Sequence, residues 1–279
     1  MKSLLKSVFL RLPLSLQDLI HRVVFVSKYC ARTVSSDLFW LKVVWRGHTL
    51  LVRQFSGHTP TDLTFLLSGV KQGAFPHDLT DKFKSEINKF EKIPFRIESC
   101  LPGFRKGLDD AKKYDFLNKS HIYLEPDSIQ LSKLAPLLEL LKEPIKSCLG
   151  YPSKVVNVRF WKTPVGALEK GPNNWHKDGM PLEIMKLLIY FSDASVDKGT
   201  TEIITKNGDN FVVNGLSGTW VLFWNSMLLH RGLAPKLGER IICEVTLVPA
   251  FRDDFHPIFA GQNAQFPTFP WSVRKNNVL

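Results

Sequence analysis

The sequence holds little cysteine and pairs none of it. Cys30, Cys100, Cys148 and Cys243 are widely spread and form no Cys-x-x-Cys, which argues against a disulfide framework and a cysteine-based zinc site and points to a reducing compartment. Long apolar runs are missing too: Val23-Val24-Phe25-Val26 falls far short of the roughly 20 residues a membrane-spanning helix needs. The opening stretch is broken by Lys6, Arg11 and Pro13, so it does not read as a secretory signal. There is no internal repeat and no low-complexity segment. Acidic charge is scarce at the start, where only Asp18 and Asp37 stand against nine Lys or Arg in residues 1–60. Together with a net charge of +11, that asymmetry points to an anionic partner or, more plainly, to a solvated basic face.

What is present is an ordinary globular composition. With 279 residues, 44% hydrophobic, the chain can build one large core carrying an appendage. Leu4, Leu5, Val8, Phe9 and Leu12 recur at helical spacing, which predicts an interfacial amphipathic helix or one packed on the body. A second helical piece is expected over 15–29, then a hairpin over 38–53. Helix starts are signalled at Thr59-Pro60-Thr61-Asp62 and at Thr80-Asp81, each helix ending near Gly or Pro. Residues 94–126 read as loops with short elements. Ser128 to Leu149 has leucines at helical period and predicts one helix kinked at Pro136 and Pro144. The expected organisation is a single integrated domain. Its N-terminal region, 1–149, is helical and loop-rich with a β-hairpin, its core is 150–249, and its aromatic, proline-rich C-terminal arm is 250–279. In the core, short strands alternate with turns, as in a mostly β, cupin-like jelly roll with flanking helices.

The chemistry is expected at Asn174-Trp175-His176-Lys177-Asp178-Gly179 and at His230. On an extended segment side chains alternate faces, so His176 and Asp178 point the same way and Lys177 the other. A distant histidine completes the two-histidine, one-carboxylate set that binds non-haem Fe(II) and leaves positions open. The segment before it, Gly218 to Trp224, reads as a strand. Ten residues after His230 stands Arg240, at the head of an apolar strand, where its guanidinium suits bidentate recognition of a carboxylate. Glu244, four residues on, is the competing partner.

His176-x-Asp178, His230 fifty-two positions further and Arg240 ten beyond that resemble the Fe(II)/2-oxoglutarate-dependent dioxygenases, in particular the phytanoyl-CoA dioxygenase-like branch. Lys186 to Asp193 and Lys198 to Ile204 are similar to the strand and turn that follow the motif there, so the resemblance covers about residues 150–250. It implies a double-stranded β-helix core, His176, Asp178 and His230 as iron ligands, and Arg240 on the distal carboxylate of 2-oxoglutarate. O2 is then the second co-substrate, and the activity is hydroxylation of a C–H bond with release of succinate and CO2. The turn Thr205-Lys206-Asn207-Gly208-Asp209 departs from the family's usual Gly-Ser-His type, a change expected near the substrate rim.

Arg159, Trp161, Lys162, Trp175, Lys177 and Arg231 are candidate contacts for substrate or co-substrate. Arg159 and Trp161 share a strand face, Lys162 takes the opposite one, and Arg231 points away from the ligand face. The basic N-terminal region favours an anionic small molecule: an acidic or phosphorylated sugar, a lipid-linked glycan or an acyl thioester. Nucleic acid is disfavoured, because the branch acting on alkylated bases has a second Arg where this chain has Thr246. The expected location is cytoplasmic, with peripheral attachment to the inner face of a membrane through residues 1–14. The alternative from another class is a non-catalytic, cupin-like metal-binding or scaffold protein.

Overall fold

The computed structural model describes residues 61–93, 120–150, 153–169, 171–178, 184–249 and 258–259. The expected helices before residue 30, the hairpin over 38–53, most of the segment 94–126 and nearly all of the C-terminal arm lie outside the described residues. No described helix is long and apolar enough to cross a membrane.

Two antiparallel sheets enclose the interior. The larger runs in the order β1 (Val70–Ala74), β8 (Thr219–Phe223), β5 (Met185–Tyr190), β10 (Arg240–Pro249), β4 (Ser153–Thr163), β3 (Ile122–Glu125), β2 (Glu91–Ile93), and β11 (Ile258–Phe259) adds in parallel to β4. The smaller is β7 (Asn210–Val212), β6 (Thr201–Ile204) and β9 (His230–Gly232). This is the mostly β, two-sheet jelly roll the strand pattern predicts. The large sheet is drawn from both sides of residue 149, since β1 and β3 precede it and pair with strands that follow it, and β2 extends the sheet beyond β3.

Period-2 alternation explains why the central strands read as unbroken apolar runs: they are buried on both faces. Leu187, Ile189, Leu222, Cys243 and Val245 pack outward against Phe83 and the leucines of the helical segment. Leu188, Tyr190, Val221, Phe223 and Ile242 point inward, toward Ile203 and Val213 beside the small sheet. The inner face is where polar side chains interrupt the apolar set, at Arg159, Lys186, Arg240 and Glu244, and it carries the site.

Three expectations about the helical part are corrected. Ser128 to Leu149 is three short helices, α3 (Ser128–Ser132), α4 (Ala135–Glu139) and α5 (Lys142–Leu149). Pro136 and Pro144 sit in the first turns of the second and third, where a missing N–H is harmless, so the prolines start new helices instead of bending one. The helix expected to start at Thr80-Asp81 begins three residues earlier, as α2 (His77–Ile87) after Pro76; Thr80 lies inside it, its hydroxyl donating to the Pro76 carbonyl at 3.1 Å. It ends at Asn88, with neither Gly nor Pro at its cap. Within 94–126, residues 122–125 form β3, one of the short elements expected among the loops there.

The Asp62 signal is realised in α1 (Leu63–Ser68), which stops at Gly69 in the left-handed conformation, φ 77°. Asp62 accepts from Phe65 N at 2.8 Å and pairs with Lys71 Nζ at 2.7 Å. Lys71 first, then the Phe65 amide, hold its carboxyl below the ordinary value. Its folded pKa lies below the unfolded one, so its charge contributes stability above about pH 4 that fades as pH falls through the folded value. Asp62→Ala is expected to lower the unfolding free energy by about 1 kcal/mol at neutral pH. Urea titrations at a series of pH values check this, with the deficit shrinking toward acid.

Candidate metal centre

The site is built from two segments that meet at one pair of residues. His176 N donates to His230 O at 3.0 Å and His230 N donates to His176 O at 2.9 Å, an isolated antiparallel bridge between the 176 segment and β9. Directly opposed residues of a bridge send their side chains to the same face, and the two imidazoles lie with centroids 4.2 Å apart. Two residues on, Asp178 N donates to Asn225 O at 3.0 Å, which keeps the segment extended and turns the carboxylate to the same side. One ligand-capable atom from each of His176, Asp178 and His230 falls within 4.8 Å of the others. His176 Nε2 is 3.5 Å from Asp178 Oδ1, and His230 Nε2 is 3.9 Å from Asp178 Oδ2.

Hydrogen bonding fixes which nitrogen each ring presents. His176 Nδ1 lies 2.8 Å from Asn174 O and His230 Nδ1 3.0 Å from Leu228 O. A carbonyl can only accept, so Nδ1 carries a proton in both rings and Nε2 is the nitrogen turned toward Asp178. His230 Nε2 is buried with no hydrogen-bond partner. Burial pushes the His230 pKa down to about 3, so the ring is neutral at physiological pH. Burial alone would raise Asp178, but Lys186 and the two histidines outweigh it and hold the carboxyl well below its usual range. The Nε2 atoms of two imidazoles and one carboxylate, gathered on one side, form a facial donor set for a divalent metal.

Arg240 heads β10 and is only 2% exposed. Its Nη1 donates to Leu233 O at 2.9 Å and Thr200 O at 3.3 Å, its Nη2 to Thr163 Oγ1 at 3.0 Å and Asn173 Oδ1 at 3.4 Å, while Nε has no partner. All four of these acceptors are neutral. Gly232 makes room for this head group: a Cβ there would stand 2.6 Å from Nη1. The competing pairing with Glu244 is not formed. Glu244 instead takes Arg159 Nη2, and its other oxygen lies 3.2 Å from Lys186 Nζ.

The remaining candidates divide. Arg159 and Trp161 share the inner face of β4, the guanidinium 6.0 Å from the indole, and Arg159 Nε and Trp161 Nε1 are buried without partners. Lys162 points the other way and pairs with Glu239 at 2.9 Å, so it is not brought to the triad. Arg231 lies 4.7 Å over the Trp175 ring and pairs with Glu202 at 2.6 Å, off the ligand face. Lys177 is partly buried and its pKa is lowered by that burial. The departing turn carries Lys206, which stacks 3.6 Å over Trp224 and donates to Leu66 O.

Sequence reasoning missed Lys186, Asn225, Thr163 and His121. Lys186 Nζ lies 2.6 Å from Asp178 Oδ2, and Asn225 Nδ2 donates to the same oxygen at 2.8 Å. His121 Nδ1 meets Thr163 Oγ1 at 3.1 Å, one bond removed from Arg240. A charged residue inside an apolar strand, as at Met185-Lys186-Leu187, was the readable signal for the first of these; the others gave none.

No protein family model and no curated protein matches the chain. Solved structures similar to it include the non-haem, α-ketoglutarate-dependent epimerase SnoN from nogalamycin biosynthesis. That likeness has 12% identity, 67% of this chain and 80% of the other covered, and a TM-score of 0.48. HygX from Streptomyces hygroscopicus, solved with nickel and 2-oxoglutarate, is 16% identical over 68% of this chain and 87% of its own, with a TM-score of 0.47. A Pseudomonas putida prolyl-4-hydroxylase is also 16% identical, over 69% and 98%, with a TM-score of 0.45. Likenesses at this level assign no activity to the chain.

Gly232→Ala places a methyl against the buried Arg240 head group, and the expected cost is about 1–3 kcal/mol, as for an overpacked core. A lowered urea midpoint with an unchanged slope is the result that checks it.

Proposed function

We propose that the chain is a non-haem Fe(II)- and 2-oxoglutarate-dependent oxygenase acting on a small molecule. The observation that carries the reading is the bridge that brings His176, Asp178 and His230 together with both Nδ1 atoms engaged by carbonyls and both Nε2 atoms turned to the Asp178 carboxylate. These residues would hold the iron. Arg240, a buried cation given only neutral acceptors, would hold the far carboxylate of 2-oxoglutarate, because a guanidinium out of water is best compensated by an anion. Iron loaded with the two co-substrates supplies an oxidant that places one O2 oxygen in a substrate C–H bond and the other in succinate, with release of CO2.

The chain's own residues would then position and exclude. Tyr190, Val221, Phe223 and Ile242 line the inner face of the large sheet and keep water from the reacting centre. Thr163, Asn173 and the Leu233 carbonyl fix the Arg240 fork. Arg159, although paired with Glu244 through Nη2, keeps a buried Nε without a partner, which together with the net charge of +11 supports an anionic substrate. The proposal includes a hydroxylation of the phytanoyl-CoA dioxygenase-like kind and a cytoplasmic location with peripheral membrane contact through residues 1–14.

Anaerobic titration with Fe(II) and 2-oxoglutarate tests the reading. A weak visible metal-to-ligand band is expected, absent in His176→Ala and weakened in Arg240→Ala, with circular dichroism confirming that both variants fold. No band from folded, iron-loaded protein would sink the reading in favour of a non-catalytic cupin-like protein. For the membrane contact, liposome co-sedimentation should fall when residues 1–14 are deleted, and equal binding would remove that part.

A further inference from the structure

The two oxygens of Asp178 have different surroundings. Oδ2 receives Lys186 Nζ at 2.6 Å and Asn225 Nδ2 at 2.8 Å. Oδ1 faces His176 Nε2 at 3.5 Å. Oδ2 also lies 3.9 Å from His230 Nε2. A carboxylate oxygen has two in-plane lone pairs, so two donors on Oδ2 match its acceptor capacity, and Oδ1, which receives neither, is the oxygen left for a metal.

Both donors are themselves held. Asn225 grips the Asp178 segment twice, through its side chain and through its own carbonyl, which accepts from Asp178 N. Lys186 leaves β5 beside Thr246 of β10 and Phe223 of β8. Its ammonium spans Asp178 and Glu244, and Glu244 is tied in turn to Arg159. Two carboxylates and two cations therefore form a chain of alternating sign from the 178 segment through β5 and β10 to β4. An ammonium held between two carboxylates cannot swing away from one without abandoning a buried charge.

Resting on the iron reading above, we propose that Lys186 and Asn225 are positioning residues that lock Asp178 into monodentate ligation through Oδ1. The functional consequence follows from counting. Three protein atoms leave three positions of an octahedral metal open, enough for a chelating 2-oxoglutarate and one more ligand. A carboxylate free to bind through both oxygens would occupy a fourth position and compete with the chelate. The lock is specific to the carboxylate's second oxygen, so it predicts a change in coordination number and not simply weaker metal binding.

Mn(II) serves as the probe, with its inner-sphere waters counted by field-dependent proton relaxation and 2-oxoglutarate affinity measured by calorimetry on the Mn(II)-loaded protein. Lys186→Met and Asn225→Leu should each lose one bound water and weaken 2-oxoglutarate by at least about tenfold, the lower end of what outer-sphere changes cost. Glu244→Gln leaves both donors on Oδ2 and should keep the wild-type water count. If Lys186→Met does not fold, Asn225→Leu decides. An unchanged count in the folded variants overturns the lock alone, and loss of a water in Glu244→Gln shows that charge balance, not donation to Oδ2, is what matters, which also overturns it. Wild-type protein that takes up no Mn(II) overturns the metal reading together with the lock.

Discussion

The site depends on a single pair of backbone hydrogen bonds. Among the described residues the bridge between His176 and His230 is the only pairing between the 176 segment and β9, and it sets the distance, the facing direction and the register of two side chains far apart in sequence. A slip of one residue would turn one imidazole away from the other, because side chains on an extended chain alternate. Everything downstream relies on that register: the carboxylate two residues on, its second-oxygen donors, and the free nitrogens themselves. The flanking β6 pairing, Ile203 opposite His230, supports it from the other side.

Around that bridge the large sheet divides its labour by face. Its outer face is apolar and packs on helices, which secures the strands. The inner face mixes aromatic and aliphatic side chains with a small number of buried charges, and each charge has a defined role. Lys186, Glu244 and Arg159 compensate one another and the ligand Asp178. Arg240 stands apart from them, four residues along the same strand, with neutral acceptors only. One group of buried charges is compensated by charge and the other by neutral oxygens alone.

The legible part of this arrangement was the part with short-range pattern. The alternation at His176 and Asp178, the apolar strands of 185–190 and 219–223, and the Asp62 cap each involve residues within a few positions of one another. The orientation of Arg159 against Lys162 followed from the same alternation. Illegible were the consequences of long-range pairing: that Glu244 would meet Arg159 across β10 and β4 and not Arg240, that Asn225 would reach Asp178, and that His121 would join the Arg240 cluster. Register between distant strands decides these, and one sequence does not display it. The prolines of the 128–149 segment misled for a different reason. Leucine spacing stays nearly in phase across a restart, so periodicity could not distinguish a bent helix from three short ones.

Burying a guanidinium among neutral oxygens also has a thermodynamic reach beyond the cavity. The fold carries the desolvation of Arg240 whether or not an anion is present, and an anion that binds only the folded chain returns that free energy as stability. By mass action the gain is about 2.7 kcal/mol when ligand stands at 100 times its Kd, a large fraction of what holds a domain together. On the proposed function, the standing concentration of a central metabolic dicarboxylate would set how long each copy of the protein survives unfolding and proteolysis, so that metabolic supply is registered in the amount of enzyme as well as in its rate.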